Sequence, residues 1–250
     1  MSVMNSGPKS TLFLHCGARE VSVESLRFLP VPEETRTYKP ISHWDLVNTV
    51  KRVAEEKMPN LNLVRAKYGL TKDNLRLFGV HTYHVEGYNN EGLSVAFRQG
   101  LDRIVPVSGC AGQQTFVCDN MAMSGDEMFL RRHTGEGLQE KVENLFGSIM
   151  DGGEEKFKCI TAETETMRDV EMDDDRAWEL TGLLEGRGIV NQRSKKVIMQ
   201  DWVTPRYEEF AGRNLYSYYN CLTQGLKHLP ATNLIDAHSR AHKTLVERCL

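Results

Sequence analysis

Apolar and polar positions along residues 61–133 follow the pattern of β-strands. Short runs rich in Val, Leu, Phe and Tyr are separated by Gly, Asn or Asp. The runs are 61–70, 75–88, 93–101, 103–109, 114–120 and 127–133. Parallel neighbours would need crossovers of about a dozen residues or more, and these connections are shorter. The pattern therefore predicts one antiparallel β-meander over about 61–133.

After this region the apolar spacing becomes that of helices. Leu138, Val142, Leu145 and Ile149 fall on one helix face. Further helices are predicted at about 154–171, from Asp173 or Asp174 to Gly186 with Trp178 and Leu184 among its residues, at 215–226 and at 233–249. The segment 186–202 is compatible with a short hairpin or with a loop that leads into a helix.

Before the meander, two short runs are strand candidates, 11–15 and 21–29. A helix is then predicted from Ser42, because Asp45 three residues later completes an approximate capping box. Pro59 ends that helix. A sheet with helices segregated around it predicts an α+β fold with a preceding helix and a C-terminal set of helices packed on the sheet. We expect one domain over 1–250, with a possible sub-lobe boundary near 151–153.

Composition narrows the class of protein. The chain has 40% hydrophobic and 26% charged residues and a net charge of −3, which is typical of a globular protein and argues against a broad basic surface. Its six cysteines form no C-x-x-C pair and are expected to be reduced. The N-terminus has no secretory pattern, and no run approaches the ~20 apolar residues of a membrane helix. These features predict a soluble cytoplasmic protein with no membrane partner.

Metal and catalytic motifs are weak throughout. His81 and His84 are three apart in a predicted strand and therefore point to opposite faces. His238 and His242 share a helix face but lack an identifiable third ligand, so a solvated face is the favoured interpretation. The acidic run 173–175 lies where a helix begins, as capping residues do. The sequence predicts no metal, no cofactor and no catalytic residue, and whether the protein is an enzyme stays uncertain, leaning to no.

Two basic clusters are the strongest candidates for a functional site. One closes the last strand and is followed by a helix start, a combination that suits phosphate. The other lies in the segment 186–202, and we interpret the part that carries it as irregular. The candidate nucleic-acid-binding residues are Arg131, Arg132 and His133 in the first cluster and Arg187, Arg193, Lys195 and Lys196 in the second. Aromatic residues that could stack on bases, or belong to the core, are Phe78, Tyr83, Tyr88 and Phe97.

The segments 131–138 (RRHTGEGL) and 213–228 (RNLYSYYNCLTQGLKH) resemble the phage/plasmid-like proteins known as domain of unknown function 932. The resemblance covers roughly residues 75–230. It implies a mobile genetic element, most often a phage in a bacterial host cell, and it transfers no catalytic residues. More loosely, a helix, a meander and a following helix are similar to single-strand annealing proteins of the RecT/Redβ kind, a likeness of fold only.

Three hypotheses follow. The leading one is a non-enzymatic, phage- or plasmid-encoded protein that binds single-stranded DNA in recombination or replication, with homo-oligomers possible. The alternative is an accessory factor that binds a host protein and modulates host defence or metabolism. An enzyme comes third, because no motif with a physical mechanism is present.

Overall fold

A seven-stranded antiparallel sheet forms the centre of the molecule. The structure is a computed structural model that describes residues 18–71, 73–88, 91–115, 120–123, 128–130, 137–207 and 211–250. Its strands are β1 (Arg19–Val21), β2 (Asn62–Leu70), β3 (Arg76–His84), β4 (Glu91–Gly100), β5 (Val107–Thr115), β6 (Asn120–Met123) and β7 (Met128–Leu130). The helices are α1 (Val23–Leu26), α2 (His43–Lys57), α3 (Leu138–Met150), α4 (Gly153–Thr166), α5 (Asp174–Gly186), α6 (Gln192–Val203), α7 (Leu215–Leu226) and α8 (Ala231–Cys249).

The strands follow one another in sequence order from β1 to β6. The last strand departs from that order, since β7 also pairs with β5. β6 pairs with the end of β5 at Gly112–Thr115, and β7 pairs with its beginning at Val107–Gly109. The α+β fold and the antiparallel meander are confirmed. The runs at 103–109 and 114–120 are not two separate strands, because Val107–Thr115 forms one continuous strand.

Helices cover both faces of the sheet. Side chains of β4 alternate between two hydrophobic cores, with Val95 and Phe97 in one and Ala96 in the other. The first core contains residues of α2 and α3, and the second contains residues of α5, α6, α7 and α8. α4 joins the two, because Phe157 belongs to the first core and Ile160 to the second. The sheet is therefore the middle layer of three.

The start of α2 shows why the sequence places a helix there. Ser42 Oγ accepts a hydrogen bond from the backbone N–H of Asp45 at 2.9 Å and donates to the Asp45 carboxylate at 2.6 Å. This arrangement satisfies a backbone donor that the first turn would otherwise leave free. Val47 and Val50 are fully buried against the sheet. The helix ends at Lys57, two residues before Pro59.

The predicted strand at 21–29 is wrong. β1 stops at Val21, and Ser22 caps the short helix α1. Ser25 Oγ donates to the backbone oxygen of Ser22 at 2.7 Å, a local side-chain bond that competes with strand pairing. The candidate strand at 11–15 lies outside the described residues.

The ambiguous segment 186–202 is resolved as a loop that leads into a helix. Asn191 caps α6, and its side chain accepts a hydrogen bond from the N–H of Ser194 at 2.9 Å. Arg193, Lys195 and Lys196 are therefore helical, and their assignment to an irregular segment is wrong. Within the described part of the chain, no helix has both the length and the apolar character needed to cross a bilayer.

Candidate functional site

Helices α5 and α6 form an antiparallel hairpin that carries the second basic cluster. Three side-chain contacts define the pairing of the two helices. Lys195 Nζ lies 2.7 Å from Glu185, Thr181 Oγ1 lies 3.3 Å from Met199 Sδ, and Trp202 Nε1 donates to Asp174 at 2.9 Å. The start of α6 is thus level with the end of α5, where the chain turns through Gly188 at φ 68°.

The start of α6 has an unusual charge. Helices α2 to α5 each carry an acidic residue in the first turn, which suits the partial positive charge of a helix N-terminus, whereas α7 and α8 carry none. α6 has no acidic residue there and instead carries Arg193, Lys195 and Lys196 in its first five residues. A positive side chain in the first turn of a helix is unfavourable by about 0.3–1 kcal/mol at an exposed site, and Arg193 is in that turn. An anion bound nearby would relieve that repulsion.

The four candidate residues that the structure describes differ in the interactions that their side chains already make. Arg187 is half-buried and donates to Thr244 Oγ1 on α8 at 2.9 Å, which makes it part of the packing between helices. Lys195 pairs with Glu185, so its charge is neutralised. Arg193 and Lys196 are exposed and make no ion pair with any residue that the structure describes.

Arg240 on α8 joins this cluster and was missed by sequence reasoning. Its guanidinium donates to the backbone oxygen of Arg187 at 2.7 Å and lies 3.4 Å from Asp236. Lys243, one turn further along α8, is exposed. The periodicity of α8 does not indicate that Arg240 approaches Arg187, because a contact between residues 53 apart depends on tertiary packing. We call Arg187, Arg193, Lys195, Lys196 and Arg240 the basic end of the hairpin.

The first basic cluster falls in a part of the chain that the structure does not describe. Arg131, Arg132 and His133 lie outside the described residues. The helix predicted to follow them begins at Leu138, after Gly137 in the left-handed conformation at φ 70°. Their role as phosphate contacts stays a prediction.

The aromatic residues of the sheet are packing residues. Phe78, Tyr83 and Phe97 are at most 4% exposed. Tyr88 is half-buried, and its ring packs edge-on against Phe157 with centroids 4.9 Å apart. Phe78, Tyr83 and Phe97 therefore offer no open face for a base. Trp178 on α5, by contrast, is 51% exposed.

His81 is a core residue and does not form a metal-binding pair with His84. It is fully buried, whereas His84 lies half-buried on the other face of β3, as the alternation of a strand predicts. His81 Nε2 and the Tyr68 hydroxyl are 2.8 Å apart, and the Tyr83 hydroxyl is 3.4 Å from Nδ1. Burial lowers the pKa of His81 to about 3, so the ring is neutral near pH 7.

His238 and His242 do not lie on a solvated helix face, so that interpretation is wrong. Both are at most 3% exposed, because α8 packs this face against α4 and α7. His242 Nε2 lies 2.8 Å from the Glu163 carboxylate and its Nδ1 lies 3.0 Å from the Tyr219 hydroxyl. The hydrogen bond from His242 lowers the pKa of Glu163, against an opposing effect of burial. The described residues contain no cluster of three His, Cys, Asp or Glu side chains able to hold a metal.

No disulfide joins the four described cysteines. Cys110 and Cys221 are buried, Cys249 is half-buried and Cys159 is exposed. Burial raises the pKa of Cys221 to about 12, which removes the thiolate that a nucleophile needs. Cys16 and Cys118 lie outside the described residues.

A groove lies between α2 and the start of β2. Its cavity volume is about 500 Å³, and Ala54, Met58 and Leu63 line it together with the side chain of Tyr83. β1 pairs only with Tyr68–Leu70, so the beginning of β2 extends beyond its described neighbour on that side. Leu63 and Val64 are 41% and 53% exposed there. Exposed apolar edge strands are sites where another chain can add a strand.

The comparisons with known proteins leave the site to be interpreted from its geometry. No protein-family model matches the chain, and no match was found among curated proteins or among solved structures. The resemblance to domain of unknown function 932 stays a prediction.

Proposed function

We propose that the protein binds single-stranded nucleic acid at the basic end of the α5–α6 hairpin. The observation that carries the proposal is the pair Arg193 and Lys196, two exposed cations at the start of α6 with no ionic partner among the described residues. Arg240 from α8 lies beside the backbone of Arg187, and Asp236, 3.4 Å away, offsets part of its charge. Phosphates bind where cations meet the free N–H groups of a helix N-terminus.

The net charge of −3 is compatible with a local site. Acidic residues elsewhere on the surface repel the phosphates of duplex or single strands without contacting them. At about 0.1 M salt this repulsion is screened beyond about 10 Å, so it has little effect on a local basic site. This small cluster, in which Asp236 already pairs with Arg240, supports binding of a short stretch of backbone. It does not support the wide footprint of a basic groove, so we expect affinity that is modest and strongly dependent on salt.

The test measures binding of a fluorescent oligo(dT) of about 15 nucleotides by anisotropy at several salt concentrations. Each phosphate contact on a single strand contributes about 0.7 to the slope of log affinity against log salt. Replacing both free cations, Arg193→Gln with Lys196→Gln, should therefore weaken binding and reduce that slope by about 1.4. Because phosphate contacts carry no sequence information, oligo(dC) and oligo(dT) should lose affinity alike.

The control is Lys57→Gln with Lys141→Gln, of which Lys57 lies 3.8 Å from the Asp151 carboxylate. These lysines are exposed on α2 and α3, in the opposite helical layer, and their replacement changes the net charge by the same amount. The control should keep the wild-type slope. Equal losses in both double variants would show that net charge alone controls binding, and the proposed site would be wrong.

Protein binding is the second candidate function, and the groove between α2 and β2 favours it. An extended segment of a host protein could pair with the beginning of β2 and place an apolar side chain beside Ala54 and Met58. If the wild type binds no oligonucleotide at about physiological salt while a host protein co-purifies stoichiometrically, this function replaces the first. Phage or plasmid origin, oligomer formation and a role in annealing remain proposals that follow from the resemblance.

A further inference from the structure

Trp178 stands out among the three tryptophans. Trp202 is 3% exposed and Trp44 is half-buried, while Trp178 is 51% exposed on α5. An indole is the side chain with the largest apolar area, and leaving half of it in water forgoes a large part of its burial energy. The sequence predicted Trp178 as part of a helix with Leu184, but only Leu184 is in the core.

Trp178 lies on the same hairpin as the basic end. The pairing of Glu185 with Lys195 places Lys196 about level with residue 184. Trp178 precedes residue 184 by six positions and is therefore about 9 Å from Lys196 along the helix axis. Along α5, Trp178 lies between Asp174 and Thr181, two residues that contact α6, and its own side chain is exposed. Lys196 and the exposed Val203, seven residues apart, share one face of α6.

The surface of α5 is open at Gly182, between the indole and the basic end. Gly182 follows Trp178 by one turn, and a Cβ built there would meet no heavy atom within 4 Å. Lys195 and Glu185, which lie next along the hairpin, neutralise each other. The basic end can therefore hold phosphates while a base reaches the indole, an arrangement of backbone cations and an aromatic platform that suits single strands.

We propose that Trp178 stacks on an unpaired base of the strand whose phosphates contact Arg193 and Lys196. This inference rests on the proposed function and makes it more specific. A base in a duplex already has neighbours on both faces and cannot offer one to the indole without being unstacked. Trp178 thus favours single strands over duplex, whereas the cations alone attract both.

The experiment compares Trp178→Ala and Trp178→Phe with the wild type, using an oligo(dT) of about 15 nucleotides and a duplex of the same length. Loss of one stacking contact should weaken single-strand binding about tenfold, with the salt slope unchanged because no charge is lost. The Phe variant should stay within about threefold of the wild type. Duplex affinity should be the same for all three proteins. Phe28→Ala, at a position 82% exposed after α1, is the control for loss of an exposed ring.

The outcomes separate this inference from the function on which it rests. Wild-type affinity of Trp178→Ala for the single strand, or an equal loss on duplex, would overturn the stacking role while the phosphate site stands. No binding of either probe by the wild type would overturn the proposed function and the stacking role together. Far-UV circular dichroism of each variant confirms that lost binding is not lost fold.

Discussion

At the scale of single residues, His81 shows how burial determines charge. The ring lies edge-on to Phe97, with centroids 5.1 Å apart, and contacts two tyrosine hydroxyls. Burial lowers its pKa from 6.5 to about 3 in the folded protein, while the unfolded chain keeps the ordinary value. Between these two pH values the unfolded state binds the proton and the folded state does not. Titration of His81 therefore leaves the free energy of unfolding unchanged above about pH 6.5 and lowers it as the pH falls toward 3.

We predict that His81→Gln flattens the acid side of the stability profile. Neutral glutamine has no proton to gain, so the free energy of unfolding should fall less steeply between about pH 6.5 and 4 than in the wild type. The largest slope that one histidine contributes is about 1.4 kcal/mol per pH unit. Urea unfolding at several pH values measures it, with His84→Gln at the other face of β3 as control. Parallel profiles for the wild type and His81→Gln would contradict the neutral, buried ring.

At the scale of elements, a glycine controls how closely α6 approaches α7. A Cβ at Gly225 would lie 2.4 Å from Ile198 Cγ1 and 3.0 Å from the backbone oxygen of Ser194. The two helices pack so tightly here that no side chain fits between them. α6 begins at the basic end of the hairpin, so this contact also holds Arg193 and Lys196 in place.

We predict opposite effects for two Gly→Ala changes in helices. Alanine at Gly225 should destabilise the protein by about 1–3 kcal/mol, because the extra methyl group overfills the α6–α7 interface. Alanine at Gly182, which has open space around it, should stabilise α5 by about 0.5–1 kcal/mol through helix propensity. Urea unfolding of both variants gives the comparison. Equal stabilities would show that the close contact at Gly225 relaxes without cost.

At the scale of the whole molecule, the spacing of apolar residues predicted where helices and strands lie better than it predicted which side chains their neighbours bury. Leu138, Val142 and Ile149 define a helix face by spacing alone, and all three are buried in the structure. Spacing could not show that Trp178 is exposed or that His238 and His242 are buried, because neighbouring helices decide this. The sequence predicted Arg193 and Lys196 as candidates. Their lack of ionic partners within the described part of the chain, and the approach of Arg240, emerge only from the packing of α5, α6 and α8.

Contact of a strand with the loop and helix start at residues 187–196 can be measured directly. Hydrogen–deuterium exchange, followed by mass spectrometry with and without saturating oligo(dT), maps the part of the chain that the strand contacts. We predict slower exchange of backbone amides in 187–196 and around Arg240, with no change in α2 or β2. Unchanged exchange along the α5–α6 hairpin in a protein that binds the oligonucleotide, or protection confined to other elements, would contradict the proposed site.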